Sequence, residues 1–345
     1  MQEPEEVAVT APLTRRTRAD RERVEDTNLS PLATRAAQSR GREADEPEDD
    51  YRTAFERDRD RILHSKAFRR LKHKTQVFLN PDGDHYVTRM THTLQVAQVG
   101  RSIAAALGLN EALTEAQCLG HDIGHSLFGH TGEEALSPYL PEDQEWQHAI
   151  HGVRVVSVLE PLNLTWETLD GIRQSSWKND PPPSTPEGMV LRFADRIAYL
   201  SHDALDAMRA GVLTMEDLPP HVVELFGTPG REWIDAMIRA VIDESVRVGE
   251  VAMEPTALQA MHDLRDFMFS DVYLRPESVE QAQKATRVIR DLFEWFRDHP
   301  QEVPASIREV SEGDAIQAAM DHVAGMSDKY AIREHDRLFR PAGLY

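Results

Sequence analysis

Between Gly120 and Glu134 the chain reads Gly-His-Asp-Ile-Gly-His-Ser-Leu-Phe-Gly-His-Thr-Gly-Glu-Glu, which crowds three histidines, two glutamates and four glycines into one short stretch. A bland core helix has no use for that mixture. Adjacent helical side chains point about 100° apart, so His121 and Asp122 reach a common centre only where the backbone departs from a regular helix. Gly120 and Gly124 flank the pair and give the backbone that freedom. Two further ligand-type residues, His92 and Asp195, lie far away on either side, so a fold that uses them together must bring three separate stretches to one point.

Each stretch carries a helical pattern. Over Thr88 to Leu107, His92, Val96, Val99 and Ile103 recur at steps of four, three and four, which predicts a helix with His92 opening its inward face. Asn110 to Leu119 forms a second amphipathic run that delivers His121 and Asp122 at its end. From Glu187 to Ala210, Val190, Ala194, Ile197, Leu205 and Met208 form an apolar stripe beside a polar one of Asp195, Tyr199, Asp203 and Asp206. Solvation is the competing account of that polar stripe. Thr131 and Glu134 match a capping box, which leaves Glu133 free. A further helix is expected at about Trp146 to Leu159, and a very polar one from Tyr51 to Leu71. Strand signals are scarce, so the predicted fold class is all-α.

Two imidazoles and two carboxylates suit a borderline divalent ion and leave coordination positions for water and a substrate oxygen. Such a site points to hydrolysis of a phosphate ester. Mixed nitrogen and oxygen ligation does not fix the metal and admits manganese, magnesium, iron, cobalt, nickel or zinc; a divalent cation, manganese or magnesium first, is the expected cofactor. His130 and Glu133, three residues apart, form a candidate acid and orienter, with His148 a second candidate. Arg52, Arg89, Lys178 and Arg196 are the candidate phosphate-binding cations; for Arg52 a solvated helix face competes.

The formal charge of −20 repels polyanions at long range, so a phosphate ligand has to be held by a local basic cluster. Cys118 is the single cysteine, which excludes an intrachain disulfide and a cysteine zinc site and fits a reducing cytoplasm with the thiol packed in the core. No apolar run approaches the roughly 20 residues of a membrane span, and the start Met1-Gln2-Glu3-Pro4 does not read as a signal peptide, so a cytoplasmic protein without membrane contact is expected. Residues 1–28 are charged and free of aromatics, which predicts a disordered tail. Residues 29–345 are expected to form one helical domain, with a core over about 88–210 and an extension over 211–345.

On these motifs the sequence resembles the deoxyguanosine triphosphate triphosphohydrolase family of the HD-domain superfamily. The likeness is carried by Ser30-Pro31-Leu32-Ala33-Thr34, Ser39-Arg40-Gly41-Arg42, the run Arg52 to Arg70, Lys74-Thr75-Gln76-Val77, Arg89-Met90-Thr91-His92, the His121 turn, Ala194-Asp195-Arg196-Ile197-Ala198-Tyr199 and Gly325-Met326-Ser327-Asp328-Lys329-Tyr330-Ala331. The resemblance implies an HD-type helical fold that hydrolyses a deoxynucleoside triphosphate to deoxynucleoside and inorganic triphosphate by attack at the α-phosphorus. It implies His92, His121, Asp122 and Asp195 as metal ligands, His130 and Glu133 as the catalytic pair, and His148 as a further active-site histidine. Arg89, Lys178 and Arg196 match phosphate-binding positions, Tyr199 and Asp203 sugar-contacting ones, and Gln76 one near the deoxyribose. His125 falls where relatives vary and receives no role; Glu56 and Arg196 depart from the commoner residues at their positions. The resemblance also implies a homo-oligomer, from dimer to hexamer, and leaves open single-stranded DNA or a nucleotide as effector. The alternatives are an HD-type nucleotidase or signalling phosphodiesterase, and a nucleotide- or DNA-binding regulator without activity.

Overall fold

The computed structural model describes residues 13–76, 87–142 and 144–341. Helices carry the architecture, and among the described residues the extended pairings are two isolated bridges, Arg42 with Thr165 and Thr75 with Thr88. This is the all-α fold expected. No helix among the described residues is long and apolar enough to cross a membrane.

The chain opens with α1 (Arg18–Asn28), α2 (Ala54–His64) and α3 (Lys66–Arg70), followed by α4 (Arg89–Leu107) and α5 (Glu111–Gly120). Next come α6 (His130–Leu136), α7 (His148–Arg154), α8 (Trp166–Arg173) and the long α9 (Pro186–Arg209). At the centre α4 packs against α5 and α9, and α2 lies across α5. Thr88 starts α4 with a reciprocal cap to Thr91, and Gly108 ends it in the left-handed conformation at φ 64°. Asn110 caps α5, and Thr185 with Pro186 opens α9. The inward stripes of α4 and α9 meet in a large core containing Val96, Val99, Ile103, Val190, Ala194 and Ile197.

Beyond α9 the chain forms α10 (Pro220–Phe226), α11 (Arg231–Val248) and α12 (Pro255–Met268), which complete that core through Trp233, Met237 and Leu264. The last helices, α13 (Pro276–Asp298), α14 (Ala305–Val310), α15 (Ala315–Ala324) and α16 (Asp328–Phe339), gather around a second apolar cluster. Ile289, Leu292, Phe293 and Phe296 of α13 meet Leu127, Phe128 and Leu136 there, so the His121 turn lies between the two cores.

Three local expectations need correcting. The segment 1–28 is not a featureless tail where it is described: α1 has a reciprocal Thr17–Asp20 cap, Arg18 N–H donates to Asp50 O, and the Glu25 carboxylate accepts from Ala36 N–H at 2.7 Å. Residues 1–12 and Val77 lie outside the described residues. The polar helix from Tyr51 to Leu71 breaks at Ser65, whose hydroxyl accepts the Phe68 N–H at 3.0 Å and starts α3 instead. Helix α6 begins at His130 after Gly129, with no side-chain cap, so the Thr131 and Glu134 box does not form.

Buried carboxylates tie the N-terminal motifs to later helices. Glu187 of α9 accepts from Thr34 N–H, Thr34 Oγ1 and Asn110 N–H, and Glu167 of α8 accepts from Ser39 Oγ and Arg40 N–H. Asp58 of α2 accepts from Thr165 N–H, Thr165 Oγ1 and Thr168 Oγ1. Each carboxylate satisfies backbone or hydroxyl donors that would otherwise be buried unpaired.

Candidate metal and phosphoryl site

His92 projects from the first turn of α4, His121 and Asp122 follow the last turn of α5, and Asp195 lies midway along α9. Their functional atoms converge. His92 Nε2 is 3.1 Å from Asp195 Oδ1 and 3.9 Å from Asp122 Oδ2; His121 Nε2 is 3.3 Å from Asp122 Oδ1 and 3.6 Å from Asp195 Oδ1. Ligand atoms of His92, His121 and Asp122 lie within 4.8 Å of one another. His92, His121 and Asp122 are buried, whereas the Asp195 side chain keeps 27% of its exposure and marks the open side.

The donor set fits a divalent cation. His121 donates its Nδ1 proton to Cys118 O at 2.6 Å, which fixes the tautomer and leaves Nε2 buried without a hydrogen-bond partner among the described residues, aimed between two carboxylates. Burial alone would lower the His121 pKa, yet Asp122 and Asp195 push it up to about 9. Burial works to raise the Asp122 pKa, and the imidazoles of His121 and His125 with Arg89 hold it well below the carboxylate range instead. Positive charge is strongly favoured at this point.

A second cluster adjoins the first. Glu133 Oε1 lies 2.6 Å from His125 Nδ1 and 3.1 Å from His148 Nδ1, while Oε2 lies 3.1 Å from His130 Nδ1. The rings of His125 and His148 stack at 3.8 Å. His125 also places Nε2 3.1 Å from Asp122 Oδ1, so this imidazole, which carried no role in the sequence reading, spans the two clusters. Burial works against charge on His130, but the Glu133 carboxylate raises its pKa, and its side chain is 72% exposed at the mouth. An accessible imidazole held by a buried carboxylate has the arrangement of a general acid.

The candidate substrate-binding residues divide. Arg89 is buried behind the ligands, its Nη1 donating to Asp122 at 3.0 Å. Gly129, at φ 59°, leaves room for that guanidinium: a Cβ there would stand 2.7 Å from Arg89 Nη2. Arg196, next to Asp195, stacks on the Trp177 ring with Cζ 4.4 Å from the centroid. Lys178 is exposed beside that tryptophan. Tyr199 is half-buried one turn on, and burial pushes its pKa up to about 12. Asp203 is buried and accepts from Tyr273 OH at 2.7 Å; desolvation raises its pKa to about 8. Asp206 is buried too and accepts from Val87 N–H, so the polar stripe of α9 faces inward. Gln76 is half-buried, its Oε1 without a partner among the described residues, just past Thr75 of the Thr75 and Thr88 bridge. Arg52 is not drawn in: it is exposed at the head of α2, and its guanidinium holds Asp49 at 2.7 Å and Asp60 at 3.0 Å.

Sequence patterns missed several supporting groups. Trp177 and Tyr273 orient Arg196 and Asp203 from α8–α9 and α12–α13 connections, and Lys74 and Asp328 reach the back of the His121 turn. A tryptophan beside a candidate cation was the one local hint; the others act across separations that no periodicity records.

Comparison with known proteins places these elements. The HD domain model matches residues 89–200, and the phosphohydrolase-associated domain model matches residues 251–337. A deoxyguanosinetriphosphate triphosphohydrolase-like protein of Caldanaerobacter subterraneus subsp. tengcongensis is 47% identical over 319 residues, covering 91% of this chain and 93% of its own. Proteins of the same description from Desulfatibacillum aliphaticivorans and Clostridium tetani are 43% and 40% identical, over 92% and 93% of this chain and 96% and 95% of theirs. A solved structure of a hypothetical protein from Aquifex aeolicus aligns with a TM-score of 0.47 at 20% identity over 82% of this chain and 68% of its own, too loose a likeness to carry a functional argument.

Proposed function

Because the chain belongs to the deoxyguanosinetriphosphate triphosphohydrolase-like family of HD-domain phosphohydrolases, we propose that it hydrolyses deoxynucleoside triphosphates, dGTP among them, to deoxynucleoside and inorganic triphosphate. The observation that carries this reading is the pairing of the two clusters: four metal-type ligands from α4, the α5 terminus and α9, adjoining a Glu133 that gathers three imidazoles.

His92, His121, Asp122 and Asp195 would hold the cation, manganese or magnesium by preference. When bound, a divalent cation supplies Lewis acidity toward a phosphate oxygen and a nucleophile near neutral pH. The chain's own residues do the rest. His130 donates a proton to the departing 5′ oxygen, and Glu133 Oε2 fixes its ring for that task. His148 hydrogen-bonds the other oxygen of Glu133 and the His125 ring lies close against it, and the carboxylate is held well below its ordinary pKa despite burial. One water is consumed: its oxygen joins the α-phosphorus, the 5′ oxygen leaves with a proton, and triphosphate departs.

Arg196, next to Asp195, and Lys178, exposed beside Trp177, bind the phosphates, with Trp177 fixing the Arg196 plane. Arg89 acts through Asp122, setting the orientation of that carboxylate by the bond from its Nη1. Tyr199 and Asp203 contact the sugar one and two turns along α9, and Gln76 faces the deoxyribose. A signalling phosphodiesterase would share the four ligands but has no need of an imidazole proton donor held this way.

Incubation with Mn²⁺ and each of the four deoxynucleoside triphosphates, followed by ³¹P NMR and chromatography, tests the reading. Inorganic triphosphate and deoxynucleoside should appear together, stop on chelation and return with Mn²⁺. Release of pyrophosphate or orthophosphate would sink it.

A further inference from the structure

The Gly325–Ala331 motif touches neither cluster, yet its one carboxylate is buried and reaches the turn that carries them. Asp328 Oδ1 accepts from Phe128 N–H at 2.8 Å, and Oδ2 accepts from Thr75 N–H at 2.8 Å. Lys74, equally buried, makes the reverse crossing: its Nζ donates to the carbonyl oxygens of His125 and, at 3.1 Å, of Ala324. Three chain segments, 74–75, 125–128 and 324–328, are therefore laced by two side chains that each serve two of the others. Arg70, donating to Gly325 O at 3.0 Å, adds a tie at the edge.

The point of attachment matters. Phe128 sits at φ 55°, a conformation costly for a side chain of that size, and Gly129 follows at φ 59°. These two left-handed residues turn the backbone so that α6 starts at His130 and presents His130 and Glu133 on one side. A strained turn holds its shape when its surroundings over-determine it. Here the Phe128 N–H is claimed by Asp328 and the His125 carbonyl by Lys74, so both ends of the Ser126–Leu127 link are pinned from behind. Burial pushes the Lys74 pKa down to about 7, and a neutral amine keeps the two N–H groups that the two carbonyls require.

We propose that Lys74 and Asp328 are positioning residues for the His130 and Glu133 pair, through which the C-terminal helices set the geometry of proton donation. The inference rests on the reading of His130 as the proton donor. The four metal ligands lie outside the brace, so its loss acts on turnover rather than on cation affinity.

The test is a double-mutant cycle on the full-length protein with Mn²⁺ and dGTP. Asp328→Asn keeps shape and volume but turns an amide toward one of the two N–H groups. Its kcat should fall by about 10²-fold, the loss expected for a misplacement near 1 Å, with bound Mn²⁺ per chain unchanged. In a His130→Ala background the same substitution should change kcat by less than about twofold, because the group it positions is gone. A purely structural role predicts equal losses in both backgrounds, and that result, a rise in KM alone, or an unchanged kcat overturns the proposal. Lys74→Met carries the same cycle if Asp328→Asn does not accumulate. If His130→Ala by itself keeps full turnover, the donor reading falls, and the brace is then judged by hydrogen exchange at the Phe128 amide. Exchange must accelerate at least about tenfold in Asp328→Asn; unchanged exchange overturns it.

Discussion

Replacing Gly124 by alanine should damage both stability and the second cluster, and the size of the effect follows from the backbone. A Cβ built on Gly124 would stand 2.0 Å from His148 O, 2.1 Å from Gly152 N and 2.6 Å from Gly152 Cα. All three are main-chain atoms of α7, so no rotamer change relieves the overlap. Ordinary contact distances of about 3.5 Å require α7 to withdraw by more than about 1 Å. That withdrawal carries His148 Nδ1 from 3.1 Å to beyond hydrogen-bonding range of Glu133. Overpacking costs about 1–3 kcal/mol, and a lost charge-assisted bond adds about 1.5–3 kcal/mol. We expect a total of about 3–5 kcal/mol, which at about 2 °C per kcal/mol for a chain of this size lowers Tm by about 6–10 °C. Thermal melts followed by circular dichroism read this directly, with Gly313→Ala as a control: Gly313 has φ 87° but open space around its Cα, so that variant bears backbone strain alone, about 1 kcal/mol. A Gly124→Ala protein that melts within about 2 °C of the parent with full turnover would refute the packing argument.

Glu133→Gln should leave bound metal in place and lower kcat by about 10²–10⁴-fold, because an amide neither raises the His130 pKa nor fixes its tautomer; metal analysis beside steady-state kinetics checks both halves. Asp203 supplies a pH signature. Its folded pKa of about 8 lies above the ordinary carboxylate value, so the folded chain retains a proton that the unfolded chain releases, and stability from this group falls as pH rises from about 4 through 8. Urea unfolding of Asp203→Asn across that range should show a flatter pH dependence than the parent, and identical slopes would rule the assignment out.

The parts of the site that local pattern exposes are those whose chemistry and periodicity coincide. His92 opens an apolar stripe on α4, Asp195 shares a helix with Val190, Ala194 and Ile197, and the glycines around His121 and Asp122 mark a backbone too irregular for a plain helix. Arg52 misled for the opposite reason: its alternating charges suit a phosphate channel as well as a surface network, and Asp49 and Asp60 claim it. Ser65 divides the polar helix by a single hydroxyl, which no hydrophobic repeat signals. Helix α1 was hidden by composition, since its anchors are polar, the Glu25 carboxylate on Ala36 and a backbone bond to Asp50. The bridging role of His125 depends on distances to Asp122 and Glu133 that spacing alone does not fix.

The carboxylate on Phe128 comes from a residue 200 positions later, and the one on Thr75 from 253 positions later. A polypeptide leaving the ribosome will have formed its central helices, and can gather its metal-binding side chains, well before Asp328 emerges. On the proposed reading, competence for chemistry waits for the segment that carries Asp328, and a product truncated before α15 would take up cations without turning over nucleotide.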